Sequence, residues 1–119
     1  MNILLADDSE IIRKNLKKLL QQRLVEGTIS ESFDVASTIH MIESTPPQVL
    51  ILDIQMPGGS GLDVLSYISH TQKSILVIVL TNHSTHYYKD RCLVAGADHF
   101  FDKSEEFMQV IELCSSLHI

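Results

Sequence analysis

The stretch "VLILDIQMPGGSG", residues 49–61, joins an unbroken apolar run to a single acid and then to a glycine-rich loop. A strand with one wet face alternates apolar and polar residues, and "VLILDI" (49–54) does not alternate before Asp53. Such a run reads as a strand covered on both faces, as in a parallel sheet. "ILVIVLT" (75–81) has the same character and ends in Thr81. "NILLA" (2–6) has it too and runs into two adjacent acids, Asp7 and Asp8. "SFDVA" (32–36) and "HFFD" (99–102) complete five strand candidates.

Helical stretches separate them. In "SEIIRKNLKKLLQQRL" the residues Ile12, Leu16, Leu19 and Leu20 recur at helical spacing, with Lys and Arg elsewhere on the surface. Ser9 suits the N-cap and Glu10 the first turn. "STIHMIES" reads as a short helix stopped by "TPP". "LDVLSYISH" follows the glycines, "THYYKDRCLVAG" stops at Gly96, and "EEFMQVIELCSSL" closes the chain with Ser104 as its expected N-cap. Five strands alternating with five helices predict an α/β fold: one five-stranded parallel sheet with helices on both faces, flavodoxin-like, in the order 2-1-3-4-5. In 119 residues this is one domain, 1–119.

Composition narrows the function. Hydrophobic residues make 45% of the chain and charged residues 20%, as in an ordinary globular protein. A net charge of −6 and the lack of a Lys/Arg run argue against nucleic-acid contact by this chain. No apolar run is long enough to span a membrane, and no basic segment followed by a long apolar region opens the chain. The expected location is cytoplasmic, with Cys92 and Cys114 as reduced core thiols.

In a doubly wound sheet, ligands sit beyond the carboxyl ends of the strands. Those ends carry Asp7 and Asp8, Asp53, Thr81 and Lys103. Three converging carboxylates raise one another's pKa unless a cation compensates. Oxygen ligands in small number, with room for water, suit Mg2+ better than a full Ca2+ cage. A phosphoryl group then fits between the metal and Lys103, with Thr81 donating to it and Asp53 as the nucleophile.

The set "DD" at 7–8, "DIQMPGGSG" from Asp53, "LT" at 80–81 and "AGADHFFDK" ending at Lys103 resembles a response-regulator receiver domain, the phospho-acceptor module of two-component signalling and phosphorelays. The resemblance covers essentially the whole chain. It implies Asp53 as the phosphorylated residue and Asp8 as a direct Mg2+ ligand, with Asp7 acting through water. The backbone carbonyl of Gln55 is the third protein ligand it implies. Thr81 and Lys103 take the switch hydroxyl and the phosphate-pairing lysine, and Phe100 the switch aromatic. Gln55 and His83 fall at positions that tune loss of the phosphoryl group. The implied donor is a histidine kinase or a histidine phosphotransfer protein. The implied output runs through the face of the fourth helix, fifth strand and fifth helix, where a partner or a second copy docks. Such a domain partly catalyses its own phosphorylation and dephosphorylation but turns over no metabolite, so it is not an enzyme in the metabolic sense.

The sequence departs from the family at three places. Phe100 stands where tyrosine is common and has no hydroxyl. Ser104 follows Lys103 where proline is common, and a cis bond there costs about 2.5–4 kcal/mol, so trans is expected. Asn82 stands where a small residue is usual.

Other features have plainer readings. His83 and His86 lack further metal ligands and read as solvated loop residues. Tyr88 is expected to pack inward with Cys92, while Tyr87 is open between packing and a partner face. Phe100 and Phe101 point to opposite sides, with Phe100 as the outward-leaning ring. "GGSG" lacks the GK[ST] ending of a phosphate cradle and reads as a tight loop beside Asp53. "RKNLKK" reads as a solvated helix face, and a kinase contact near Ile11, Ile12 and Asn15 is the sharper alternative. The rival function, a flavodoxin-type binder of flavin or nucleotide, wants backbone N–H groups after strand 1, where "ADDSE" repels phosphate. The chain ends at Ile119, which leaves a stand-alone regulator and a receiver cut from a longer protein as alternatives.

Overall fold

The computed structural model describes residues 1–23, 26–71, 74–82 and 86–117. Its main sheet comprises β1 (Asn2–Ala6), β2 (Thr28–Ser32), β3 (Val49–Leu52), β6 (Leu76–Thr81) and β7 (His99–Asp102). They are all parallel, in the order β2-β1-β3-β6-β7. Counted within that sheet, this is the expected order 2-1-3-4-5. Between the strands lie α1 (Glu10–Arg23), α2 (Val35–Ser44), α3 (Gly61–Thr71) and α4 (His86–Val94), and α5 (Phe107–Ser116) follows β7. A short antiparallel pair, β4 (Gln55–Met56) and β5 (Gly59–Ser60), sits after β3 and was not expected.

The period-two alternation of the strands divides the core into two layers. Ile3, Leu5, Val49, Ile51, Ile78 and Leu80 face α1 and α5, where Leu16, Leu20, Val110 and Ile111 cover them. Leu4, Ala6, Leu50, Leu52, Val77 and Val79 face α2, α3 and α4. Every strand residue just named is at most 3% exposed, which is why the central strands read as continuous apolar runs.

Several boundaries move: β3 stops at Leu52 rather than Ile54, and α2 starts at Val35 rather than Ser37. The second strand is 28–32, not 32–36, because Asp34 caps a helix instead of continuing a strand. Its carboxylate accepts from Ser37 N–H at 2.7 Å, and Ser37 Oγ accepts from Asp34 N–H at 3.2 Å, closing a capping box. Helix α5 starts at Phe107, not Glu105, and its N-cap is Glu106 without a side-chain cap bond. Ser104 belongs to the preceding turn. Ser9 does cap α1, accepting from Ile12 N–H at 3.4 Å. Gly96, at φ 113°, follows the end of α4 in the left-handed region that glycine favours. Cys92 and Cys114 are buried free thiols, each raised by burial to about 11. Tyr88 packs against the layer that contains Cys92, while Tyr87 is 61% exposed and stacks beneath Arg91.

Candidate functional site

Each acid enters the site where a buried strand stops. Beyond β1, Asp7 N–H still donates to Ser32 O at 3.1 Å, and beyond β3, Asp53 N–H donates to Ala6 O at 2.9 Å. One bond past each strand end therefore pins both main chains side by side. Asp7 Oδ1 accepts from Ser9 N–H at 2.8 Å, and Asp53 Oδ1 accepts from Gln55 N–H at 3.3 Å. The remaining oxygens face a common cation. Lys103 Nζ lies 2.6 Å from Asp7 Oδ2 and 2.9 Å from Asp53 Oδ2. These three side chains are 5–8% exposed. Lys103 itself follows β7, and its N–H donates to Thr81 O at 2.9 Å. No peptide bond is cis among the described residues, so Lys103–Ser104 is trans as expected.

Asp8 is exposed, yet it offers an oxygen that lies within 4.8 Å of oxygens from Asp7 and Asp53. Three carboxylates against one ammonium leave two negative charges unbalanced. Burial pushes the Asp7 carboxyl above its ordinary range, against hydrogen bonds from Lys103 and Ser9. Burial pulls the Lys103 ammonium down, but the Asp7 and Asp53 carboxylates outweigh it and hold the group above its ordinary value. An all-oxygen donor set with surplus negative charge and one exposed member fits a hard divalent cation that keeps several waters. A cavity of about 290 Å³ beside Leu65, Ile68, Ser69, Gly96 and Asp98 has a mixed polar and apolar lining and contains none of these site residues, whereas one of about 500 Å³ opens onto Asp8, Ser9, Asp53, Gln55, Asn82 and Lys103.

The loop after β3 leaves that cavity open. A Cβ on Gly61 would stand 2.5 Å from Asp53 O, so only glycine lets α3 begin so close to the acid. Gly58, at φ 83°, makes the turn between β4 and β5. Thr81 is fully buried at the end of β6. Gln55 presents its main chain to Asp53 while its side chain is exposed. Phe100 is half-buried against the α2–α4 layer and Phe101 half-buried against the other, so the two rings point to opposite sides of the sheet as expected. His83 lies outside the described residues.

Two contributors escaped the sequence reading. Arg13 sits in the "RKNLKK" run but is not a solvated charge: its side chain is 14% exposed. It donates to Asp7 O and pairs with Glu31 at 3.1 Å, tying the Asp7 loop to β2. Helical spacing from Leu16 and Leu20 places Arg13 beside the buried stripe, the only signal the sequence held. Asp102, at the end of β7, gathers the turn that carries Lys103.

The family pattern described as response regulator receiver domain matches residues 3–115. The chain belongs to the response regulator receiver domain family. Among curated relatives, the DNA-binding transcriptional activator EvgA of Escherichia coli (strain K12) is 28% identical over 111 residues, 93% of this chain and 54% of that protein. The receiver domain thus spans about half the length of the curated relatives it matches. Among solved structures, a DNA-binding response regulator of the LuxR family from Staphylococcus aureus superposes with a TM-score of 0.86 at 26% identity, over 95% of this chain and 94% of that one. A response regulator protein from Burkholderia pseudomallei, solved with a phosphorylated aspartic acid, calcium ion and citrate, shares the fold at a TM-score of 0.82 and 18% identity, over 92% and 64% of the two chains. These matches make this receiver domain a signalling module of two-component systems and give the flavodoxin-type alternative no support.

Proposed function

We propose that residues 1–119 form a single receiver domain in which Asp53 accepts a phosphoryl group from a phosphohistidine. The observation that carries the reading is Lys103 Nζ held between Asp7 and Asp53 at 2.6 and 2.9 Å, with Asp8 beside them at the carboxyl edge. Asp7, Asp8, Asp53 and the Gln55 carbonyl would hold Mg2+. When bound, the ion would supply positive charge for a phosphoryl group on the acidic side of the site.

An Asp53 carboxylate oxygen forms a bond to phosphorus as the P–N bond to the donor imidazole breaks, and the imidazole keeps that electron pair. Lys103 shifts from bridging two carboxylates to pairing with a phosphoryl oxygen, and the Thr81 hydroxyl donates to another. Phe100 follows Thr81, changing the face of α4, β7 and α5 that a partner or a second copy reads. In the reverse switch, water oxygen bonds to phosphorus, the P–O bond to Asp53 breaks, and inorganic phosphate leaves with the water proton. Gln55 and His83 tune that loss.

The donor is a histidine kinase or histidine phosphotransfer protein, and the site is cytoplasmic. No helix among the described residues is long and apolar enough to cross a membrane. The relative EvgA, named as a DNA-binding activator, supports transcription as the controlled output. The test is acetyl phosphate with Mg2+, read by intact mass. Wild type gains one phosphoryl group as acetate leaves, and Asp53→Asn gains none. A gain that persists in folded Asp53→Asn removes Asp53 from this role.

A further inference from the structure

Four residues separate β7 from α5, and Lys103 is the first of them. Side chains on both sides of it build that turn. Asp102 Oδ1 accepts from Ser104 N–H at 2.8 Å, Ser104 Oγ at 2.6 Å and Glu105 N–H at 3.1 Å. Glu106 Oε1 accepts from Asp102 N–H at 2.9 Å, and Glu106 N–H donates to Asp102 O at 2.8 Å. Residues 102 and 104–106 are thus bonded to one another around Lys103. The Lys103 N–H is fixed separately by Thr81 O.

Five hydrogen bonds thus close a turn of four residues. Helix α5 also draws no side-chain cap from Glu106, whose carboxylate turns back to Asp102 N–H instead. Lys103 carries the demand. Its flexible four-carbon stem must deliver one ammonium to two buried carboxylates. The only part of that reach the protein can fix cheaply is the direction in which the main chain launches it.

We propose that Asp102, seconded by Glu106, is a positioning residue for Lys103, acting through the main chain and touching no phosphoryl group. The kinetic half of this proposal rests on the Asp53 reading above; the structural half does not. Its hydrogen bonds to Ser104 and Glu105 restrict the backbone directly after Lys103, where no proline stands.

The experiment uses the full chain with 15N-labelled lysine and compares Asp102→Asn, Asp102→Ala, Glu106→Ala, Lys103→Ala and the double variant Lys103→Ala/Asp102→Ala. In wild type, the Lys103 ammonium should give a slowly exchanging signal, assigned by its loss in Lys103→Ala. That signal should survive in Asp102→Asn, whose Oδ1 still accepts both N–H groups, and vanish or broaden in Asp102→Ala. Glu106→Ala should weaken it by removing one bond, and serves if Asp102→Ala fails to fold. With acetyl phosphate and Mg2+, Asp102→Ala should slow phosphorylation by about tenfold or more. In the Lys103→Ala background, adding Asp102→Ala should change nothing further. An ammonium signal unchanged in both Asp102→Ala and Glu106→Ala overturns the proposal. So does an equal rate loss from Asp102→Ala with and without Lys103. A wild type that shows the ammonium pattern but gains no phosphoryl group keeps the positioning role and sinks the Asp53 reading.

Discussion

Asp7 stands between opposing demands: burial pushes its carboxyl up, while Lys103 Nζ at 2.6 Å favours its charge. Burial wins, so ionised Asp7 holds the folded state below its best stability. Asp7→Asn should therefore raise the melting temperature in metal-free buffer at neutral pH. A carboxyl raised in the folded state costs stability above that raised value and none below the ordinary one. The advantage of Asp7→Asn should accordingly shrink as pH falls through the carboxylate range, checked by melting curves at several pH values. Lys103 has the opposite linkage. Its pKa is raised in the fold, so its contribution is complete below the ordinary lysine value and disappears as pH climbs through the raised one. Lys103→Met should lose that alkaline decline, measured by denaturant midpoints. Asp7, Asp8, Asp53 and Lys103 were legible in the sequence because each marks the end of an apolar strand. Arg13 and Asp102 were not, since they act by hydrogen bonds to main chain, which leave no pattern in composition or period.

At the scale of elements, the central strands were readable because burial on both faces leaves only apolar residues. Leu5 is fully buried between β2 and β3, in the layer under α1 and α5. Leu5→Ala should cost about 2–5 kcal/mol in denaturant unfolding. Strand β2 was misplaced because it is an edge strand of polar residues, "TISES", while the more apolar "SFDVA" next to it opens a helix. Apolar character there reports contact with a layer, not strand geometry. Hydrogen bonds from Ser37 hold the Asp34 carboxyl below its ordinary range. A depressed carboxylate stabilises the fold above the ordinary value and stops doing so as pH falls through the depressed one. Asp34→Ala should lower the melting temperature at neutral pH, with the gap to wild type narrowing in acid. The β4–β5 pair escaped notice because two residues per strand are too few to show a period.

Across the whole molecule, parallel pairing with right-handed crossovers brings the ends of β1 and β3, far apart in sequence, to adjacent positions. That rule made the site predictable before any contact was known. It does not reach the turns beyond the strand ends, such as the one that carries Lys103. A cation bound by the native state alone should stabilise by about 2.7 kcal/mol at a hundredfold excess over its dissociation constant. Mg2+ should thus raise the melting temperature, and Asp53→Asn should lose most of that rise in differential scanning calorimetry.

The same long-range geometry gives β7 a mechanical role. Among the described residues it is an edge strand paired with β6 alone, yet Phe100 roots it in one hydrophobic layer and Phe101 in the other. A roll of the strand about its axis cannot draw one ring out of its layer without driving the next against its own. Phe100 and Phe101 thus give this margin of the sheet a foothold in both cores, as the alternating residues of the inner strands do.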